Sequence, residues 1–286
     1  MTEILEKLVD KVEKTLGKKV KAHKVPQNNG IVLTALSVVP DGEEAVPNIC
    51  IDELLDLLKK GYIPYEAAVE RILWEMKERK ASSVKLFDIK SILNEDVSKK
   101  IIPCVINEQK NREMLRSWVN TPLDGTDLVT IYKLVIYQDE NMIKTTTLTN
   151  KMLQMANMTI EDVKHAALDN TKNIYKIVPI PIMLPDFPPF FMFALTNTSC
   201  QFGASVLLHK KYLGELAEML EDDLLILPSS IHEVIALPIS ICADNDDFET
   251  FKEIVKEANA IDVSPTEILS NECYLYNKET EDLSIL

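Results

Sequence analysis

The chain has 286 residues, of which 46% are hydrophobic, and a formal net charge of -14. This length and composition are enough for one or two domains with a buried core, which excludes an intrinsically disordered protein. No apolar run approaches the roughly 20 residues that cross a bilayer, and the N-terminus lacks the apolar segment of a signal peptide. We therefore expect a cytoplasmic protein with no membrane partner.

The negative charge is concentrated at the C-terminal end. Residues 1–209 contain 26 Lys and Arg against 27 Asp and Glu, whereas residues 210–286 contain 5 against 18. Such an acidic region repels phosphate backbones, so nucleic acid is not the predicted partner. An acidic nucleic-acid mimic remains an alternative interpretation.

In the first third of the chain, helical stripes flank one hairpin. Asn29-Gly30 supplies the two positive φ angles that a tight hairpin turn needs, and Trp74 is predicted to extend the buried stripe of its helix. The predicted elements are a helix over 2–16, strands over 18–25 and 31–38, helices over 52–60 and 64–80, a helical stretch over 89–99 and a strand over 101–106.

The rest of the chain alternates groups of helices with pairs of strands. Thr159 is a predicted N-cap, and Ser264 to Glu267 has the pattern of a capping box that opens a further helix. The other predicted elements are helices over 107–117, 150–156, 159–169, 210–220 and 247–259, and strands over 128–137, 142–148, 191–196, 204–208 and 272–276. The polar tail to Leu286 is predicted to be mobile.

Five prolines between Pro179 and Pro189 exclude a helix or a central strand there and predict a surface loop or lid with edge-strand character. Strands joined by hairpins, with helices in groups, predict the α+β class: antiparallel sheets built from hairpins, with helices packed in groups. We expect an N-terminal region over 1–108 and a C-terminal α+β region over 109–286, or one continuous unit.

The segment 224–238 contains two apolar runs of strand length, broken by Pro228-Ser229-Ser230 and followed by His232 and Glu233. Ser229, Ser230, His232 and Glu233 are therefore the candidate catalytic residues of a hydrolase-type site. If a strand covers 231–239, however, Glu233 lies on the more apolar face and His232 on the other, so the two cannot form a triad pair. The alternative is structural, with the serines in a turn and Glu233 accepting buried hydrogen bonds.

The motifs for other chemistries are missing from the sequence. Seven scattered glycines form no phosphate-binding loop, and Ala236 stands where a zinc protease would need its second histidine. Five cysteines without a CxxC pair predict reduced, buried thiols and no disulfide framework. No cofactor and no metal is predicted.

Several segments together resemble an uncharacterised bacterial family, the domain of unknown function 5688. These segments are Asn28–Gly30, Asn48–Ile51, Ile106–Asn111, Asp127–Val129, Asn170–Thr171, Phe202–Ala204, Leu227–Ile235 and Leu269–Tyr276. The resemblance covers nearly the whole chain and implies a shared fold and one family-wide unit. It implies no activity and no catalytic residue.

The function that we expect is that of a non-catalytic interaction or accessory protein, with an unidentified protein as its partner. The alternative is a hydrolase with its site at Pro228 to Glu233. The third hypothesis is the nucleic-acid mimic.

Overall fold

The computed structural model describes residues 2–39, 48–81, 96–138, 143–182, 190–242 and 245–286. The chain forms two compact units: unit 1 is Met1–Gln27 with Ile31–Glu95, and unit 2 is Asn28–Gly30 with Asp96–Leu286. A division into folding domains at 108/109 stays a prediction.

Unit 1 combines helices with a small antiparallel sheet of order β1-β2-β3. Its elements are α1 (Thr2–Leu16), β1 (Val20–Pro26), β2 (Val32–Val38), β3 (Ile49–Cys50), α2 (Asp52–Lys59) and α3 (Tyr65–Ala81). The predicted helices and the hairpin are thus present, and Asn29 and Gly30 have φ angles of 61° and 68°.

The core of unit 1 forms where the apolar stripes of its helices meet the sheet. Leu8 of α1, Leu36 of β2 and Ile72 of α3 are fully buried in it. Trp74 is 62% exposed, so the prediction that it extends the buried stripe is wrong. Most of the helical stretch predicted over 89–99 lies outside the described residues, and Val97–Lys100 forms a short 3₁₀ helix.

Unit 2 contains two antiparallel sheets. One has the order β4-β6-β5, with β7 also paired to β6; the other has the order β13-β12-β10-β11-β9-β8. The protein is therefore of the α+β class, as predicted. The elements of unit 2 are β4 (Ile101–Asn107), α4 (Glu108–Leu115), β5 (Asn120–Pro122), β6 (Leu128–Gln138), β7 (Ile143–Thr147), α5 (Asn150–Met155), α6 (Ile160–Thr171), β8 (Tyr175–Ile182), β9 (Phe190–Asn197), α7 (Lys210–Leu220), β10 (Leu224–Ser230), β11 (Glu233–Pro238), α8 (Asn245–Ile261), β12 (Tyr274–Asn277) and β13 (Asp282–Ile285).

One apolar core is shared by both sheets of unit 2, with Val105 of β4 and Ile226 of β10 among its buried members. The 3₁₀ helix Gly203–Leu208 is part of it and contacts β4, β9 and β11. The strand predicted over 204–208 is therefore wrong. A short buried apolar run is compatible with either structure, because only an amphipathic segment has a readable period.

Gly203 opens this 3₁₀ helix at a point where the backbones pack closely. A Cβ at this position would lie 2.3 Å from the carbonyl oxygen of His232 and 2.4 Å from Oγ1 of Thr196. Only glycine fits this approach.

Two predictions near the C-terminus are wrong. The segment after Ser264 makes a single turn and no helix, because other segments occupy its carbonyl groups: Asn29 Nδ2 donates to the carbonyls of Pro265 and Ile268, and the N–H of Ile231 donates to that of Glu267. The tail is also ordered, since β13 pairs with β12.

The proline-rich segment has the predicted edge position, because β8 is an end strand of its sheet and contains Pro179 and Pro181. Residues 183–189 of the predicted loop or lid lie outside the described residues. The five cysteines all lie in the described residues and form no disulfide; Cys104 and Cys273 are buried, whereas Cys50 and Cys200 are exposed, so burial was predicted wrongly for these two. No helix in the described ranges is long and apolar enough to span a membrane.

Candidate ligand-binding cavity

The four residues predicted as a catalytic group lie at the β10–β11 hairpin. Strands β10 and β11 pair in antiparallel register, with a bulge at Ser229 between the pairs Pro228↔Val234 and Ser230↔Glu233. Glu233 is half-buried and accepts a hydrogen bond of 3.1 Å from Oγ of Ser229. It precedes Ile235 and Leu237 on the strand face that packs in a second apolar cluster.

The ring of His232 is held by groups other than the serines. Its Nδ1 accepts a hydrogen bond of 3.1 Å from the backbone N–H of Phe202, and its Nε2 lies 3.6 Å from Oε1 of Glu267. Ser230 Oγ instead accepts from the backbone N–H of His232. Because Nδ1 is an acceptor, the neutral ring carries its proton on Nε2, and neither nitrogen is placed to take a proton from Ser229 or Ser230.

A second polar group surrounds Asp127, at the start of β6. Its carboxylate accepts hydrogen bonds from the hydroxyl of Tyr274 at 2.6 Å, the hydroxyl of Ser270 at 2.8 Å and Nδ2 of Asn107 at 2.7 Å. All three donor residues are buried. Burial and the adjacent Asp127 charge raise the pKa of the Tyr274 hydroxyl, so it remains a donor.

Asn111 of α4 extends this network. Its side chain is 1% exposed, accepts from the N–H of Asn29 at 2.9 Å and donates to Oδ1 of Asn28 at 2.9 Å and to the carbonyl of Asn107 at 2.8 Å. Four of the segments that carry the family resemblance therefore meet here. We call the set Asn28, Asn29, Asn107, Asn111, Asp127, Ser270 and Tyr274 the Asp127 network.

A cavity in unit 2 has a volume of about 470 Å³. This volume lies within the range typical of small-molecule binding sites. Strands β5, β6, β12 and β13, helix α6 and the segment 207–213 all contribute to its wall. Its lining residues are Pro103, Thr121, Pro122, Leu123, Asp124, Thr130, Tyr132, Glu161, Lys164, Ala167, Leu168, Leu207, Leu208, Lys210, Leu213, Tyr276, Glu281, Asp282 and Leu283.

Among the buried residues that line this cavity, which we call its floor, two carry a hydroxyl group without a partner. Thr130 and Tyr276 are each 1% exposed, and among the described buried side chains only Thr130 Oγ1 and Tyr276 Oη lack a hydrogen bond. A third hydroxyl, that of Tyr132, is bonded to Oγ1 of Thr121 at 2.8 Å. Buried polar groups without partners are rare in folded proteins, and each needs an explanation.

The solvent-exposed part, its mouth, is charged. Six exposed charged side chains line it: Asp124, Glu161, Lys164, Lys210, Glu281 and Asp282. Lys210 Nζ lies 3.6 Å from Oδ1 of Asp282. The lining therefore combines exposed charged side chains, leucine and proline side chains, and buried residues that carry hydroxyl groups.

Both floor tyrosines keep their protons at neutral pH. Burial raises the pKa of Tyr276 to about 12, with further contributions from the charges of Glu281, Asp282 and Glu218. Burial and the charge of Glu161 raise the pKa of Tyr132 as well. The floor can thus donate and accept hydrogen bonds, but its hydroxyls are too weakly acidic to form a nucleophile or a base.

A second cavity of about 270 Å³ is lined by Phe191, Phe193, Leu220, Pro238, Ser240 and Ile241. It contains neither of the two unpartnered hydroxyls. None of Ser229, Ser230, His232 and Glu233 lines either cavity.

Sequence reasoning missed the larger cavity entirely. Thr130 with Tyr132, and Tyr274 with Tyr276, alternate along strands in a pattern that predicts which face they share. That pattern cannot show which hydroxyl finds a partner. Glu281, Asp282 and Leu283 were missed because the tail was predicted to be mobile.

Comparison with known proteins assigns the chain to a family of unknown function. No match was found among curated proteins or among solved structures. The model of a family described as a family of unknown function, DUF5688, matches residues 1–278. The chain belongs to this family, as its resemblance segments predicted.

Proposed function

We propose that this protein is a non-catalytic accessory protein that binds a small amphipathic molecule in the cavity of unit 2. The observation that carries this proposal is that two residues lining one cavity, Thr130 and Tyr276, have buried hydroxyls without a hydrogen-bond partner. Leaving a buried polar group unsatisfied costs about 1–3 kcal/mol. A ligand with polar atoms at its inner end would recover that free energy.

The remaining lining supports binding of an amphipathic molecule. Most buried lining residues are apolar, including Ala167, Leu207 and Leu213, and only a few carry a hydroxyl group. Small-molecule sites commonly combine an apolar wall with a few oriented polar groups. We place this function in the cytoplasm, on the sequence features given above.

A hydrolase at Ser229, Ser230, His232 and Glu233 is less well supported. Such an enzyme needs a base within hydrogen-bond reach of its nucleophile. The acceptor nitrogen of His232 is occupied by the N–H of Phe202, and Ser229 is bonded to Glu233. The nucleic-acid mimic stays a prediction that rests on the acidic C-terminal quarter.

The cavity can be tested with a neutral probe, octan-1-ol, observed by amide resonances in NMR titrations. We expect saturable shifts at residues such as Thr130, Ala167 and Tyr276. Ala167 is fully buried on the cavity wall, so Ala167→Leu should fill part of the space and abolish the shifts.

The matched control is Ala166→Leu, on the same helix but not on the cavity wall, which should bind as the wild type does. If Ala167→Leu does not fold, the near-isosteric Thr130→Val replaces it and should weaken binding. Equal binding by wild type and both cavity variants, or no saturable shift at all, would contradict the proposed function.

A further inference from the structure

We propose that the ligand of this cavity is an organic cation: an amphipathic molecule with a positively charged group at the mouth and a polar atom at its inner end. This inference rests on the proposed function and adds the chemical class of the ligand. It follows from the arrangement of charges around the mouth and from the unpartnered hydroxyls below them.

Four carboxylates converge on the mouth from three separate parts of unit 2. Asp124 lies between β5 and β6, Glu161 is in the first turn of α6, and Glu281 and Asp282 lie at the β12–β13 connection. Two lysines oppose them, which leaves a net charge of -2 among the six side chains. Such a mouth attracts cations and repels anions.

The two lysines differ in how far they offset the carboxylates. Lys210 is within ion-pair distance of Asp282, at 3.6 Å, so these two charges largely compensate each other. Lys164 then remains with Asp124, Glu161 and Glu281. The balance at the mouth is therefore negative whether or not the ion pair is counted.

The negative potential also reaches the floor. The charges of Glu281 and Asp282 oppose ionisation of the Tyr276 hydroxyl, and that of Glu161 opposes ionisation of Tyr132. The same field would oppose a ligand carboxylate in this space and favour an ammonium group.

The unpartnered hydroxyls define the inner end of the ligand. Thr130 Oγ1 and Tyr276 Oη can each donate and accept, so a hydroxyl, ether or carbonyl oxygen would pair with them. An apolar body has to connect this group to the cation, since leucine and proline side chains make up much of the rest of the lining.

Four eight-carbon probes separate these features by calorimetric titration of the 286-residue chain: 8-aminooctan-1-ol, octan-1-amine, octan-1-ol and octanoate. We expect 8-aminooctan-1-ol to bind most tightly and octanoate most weakly. Exposed charge pairs contribute modestly, so the ammonium group should tighten binding by about three- to tenfold over octan-1-ol. This preference should decrease as salt is raised.

Charge variants test where the preference arises. Glu281→Gln and Glu161→Gln should each reduce the ratio of amine to alcohol affinity by about two- to fourfold. The matched control is Glu257→Gln, which removes an exposed carboxylate of α8 that does not line the cavity. It should leave the ratio as in the wild type.

The outcomes separate this inference from the proposed function. If octan-1-ol binds in the cavity but the ammonium probes gain nothing, or octanoate binds as tightly, the cationic class is overturned and the binding cavity stands. If none of the four probes binds, both are overturned.

Discussion

Tyr274 and Tyr276 alternate on the same face of β12 and are both buried, yet their hydroxyls differ in what they contact. The Tyr274 hydroxyl donates to Asp127 at 2.6 Å, within a network whose other donors are also bonded. The Tyr276 hydroxyl has no partner among the described residues, and Tyr276 is one of the residues that line the cavity. The comparison distinguishes a buried hydroxyl that stabilises the fold, that of Tyr274, from one that we propose is left available for a ligand, that of Tyr276.

The largest expected effect is that of removing the acceptor of the Asp127 network. Asp127→Ala would leave the hydroxyls of Tyr274 and Ser270 and the amide of Asn107 without their partner. We expect the free energy of unfolding, measured with urea, to fall by roughly 3–5 kcal/mol. Asp124→Ala, an exposed carboxylate three positions earlier, should change it by less than about 0.5 kcal/mol. Similar losses in the two variants would refute the structural role of the network.

The two tyrosines should respond with opposite signs to the loss of a hydroxyl. Tyr274→Phe removes a bond to a carboxylate and should lower the free energy of unfolding by roughly 1.5–3 kcal/mol. Tyr276→Phe removes a polar atom without a partner, so unfolding free energy should stay the same or rise by up to about 1 kcal/mol. Thermal and urea unfolding of the two variants side by side measure the difference. A comparable loss in Tyr276→Phe would mean that its hydroxyl is already satisfied in the free protein.

His209 is a third, half-buried polar side chain of unit 2. It has a hydrogen-bond partner, and its burial makes the free energy of unfolding depend on pH. Its Nε2 is bonded to Oγ1 of Thr171 at 3.0 Å, and burial lowers its pKa from 6.5 to about 4. As pH falls below 6.5, the His209 imidazole of the unfolded chain binds a proton, whereas that of the folded protein binds one only when pH is near 4. The contribution of His209 to the free energy of unfolding is therefore fully present above pH 6.5 and is lost between pH 6.5 and 4.

We expect this loss to amount to about 1–2 kcal/mol, because solvent screens the partly exposed ring. Urea unfolding at pH 7 and pH 5 measures it, and His209→Gln should reduce the difference between the two pH values. His165→Gln, which changes an exposed histidine of α6, should retain the wild-type difference. Equal pH dependence in all three proteins would show that His209 is not the group responsible.

The elements that are periodic in sequence were predicted well. Thr159 caps α6 through a capping box with Asp162, as its sequence pattern predicts. The same kind of pattern at Ser264 failed, because distant segments had taken the carbonyl groups that a helix would use. Local capping signals are therefore reliable only where the tertiary structure leaves the backbone available.

The candidate site could not be predicted for a related reason. Whether a hydroxyl is bonded depends on what packs opposite it, and Tyr274 and Tyr276 occupy equivalent positions in the alternation of one strand. Ser229, Ser230, His232 and Glu233 drew attention because they are adjacent in sequence. In the structure His232 pairs with Phe202 and Glu267 instead, so adjacency along the chain gave no catalytic geometry.

Residues Asn28–Gly30 belong to unit 2, although β1 and β2 on either side of them belong to unit 1. A fragment that began at residue 96 would contain the whole cavity but would lack the two asparagines that bond to the buried side chain of Asn111. No single cleavage of the chain yields a complete unit 2. Expression of the cavity-bearing half alone would need a peptide spanning this turn, added in trans or grafted onto the N-terminus.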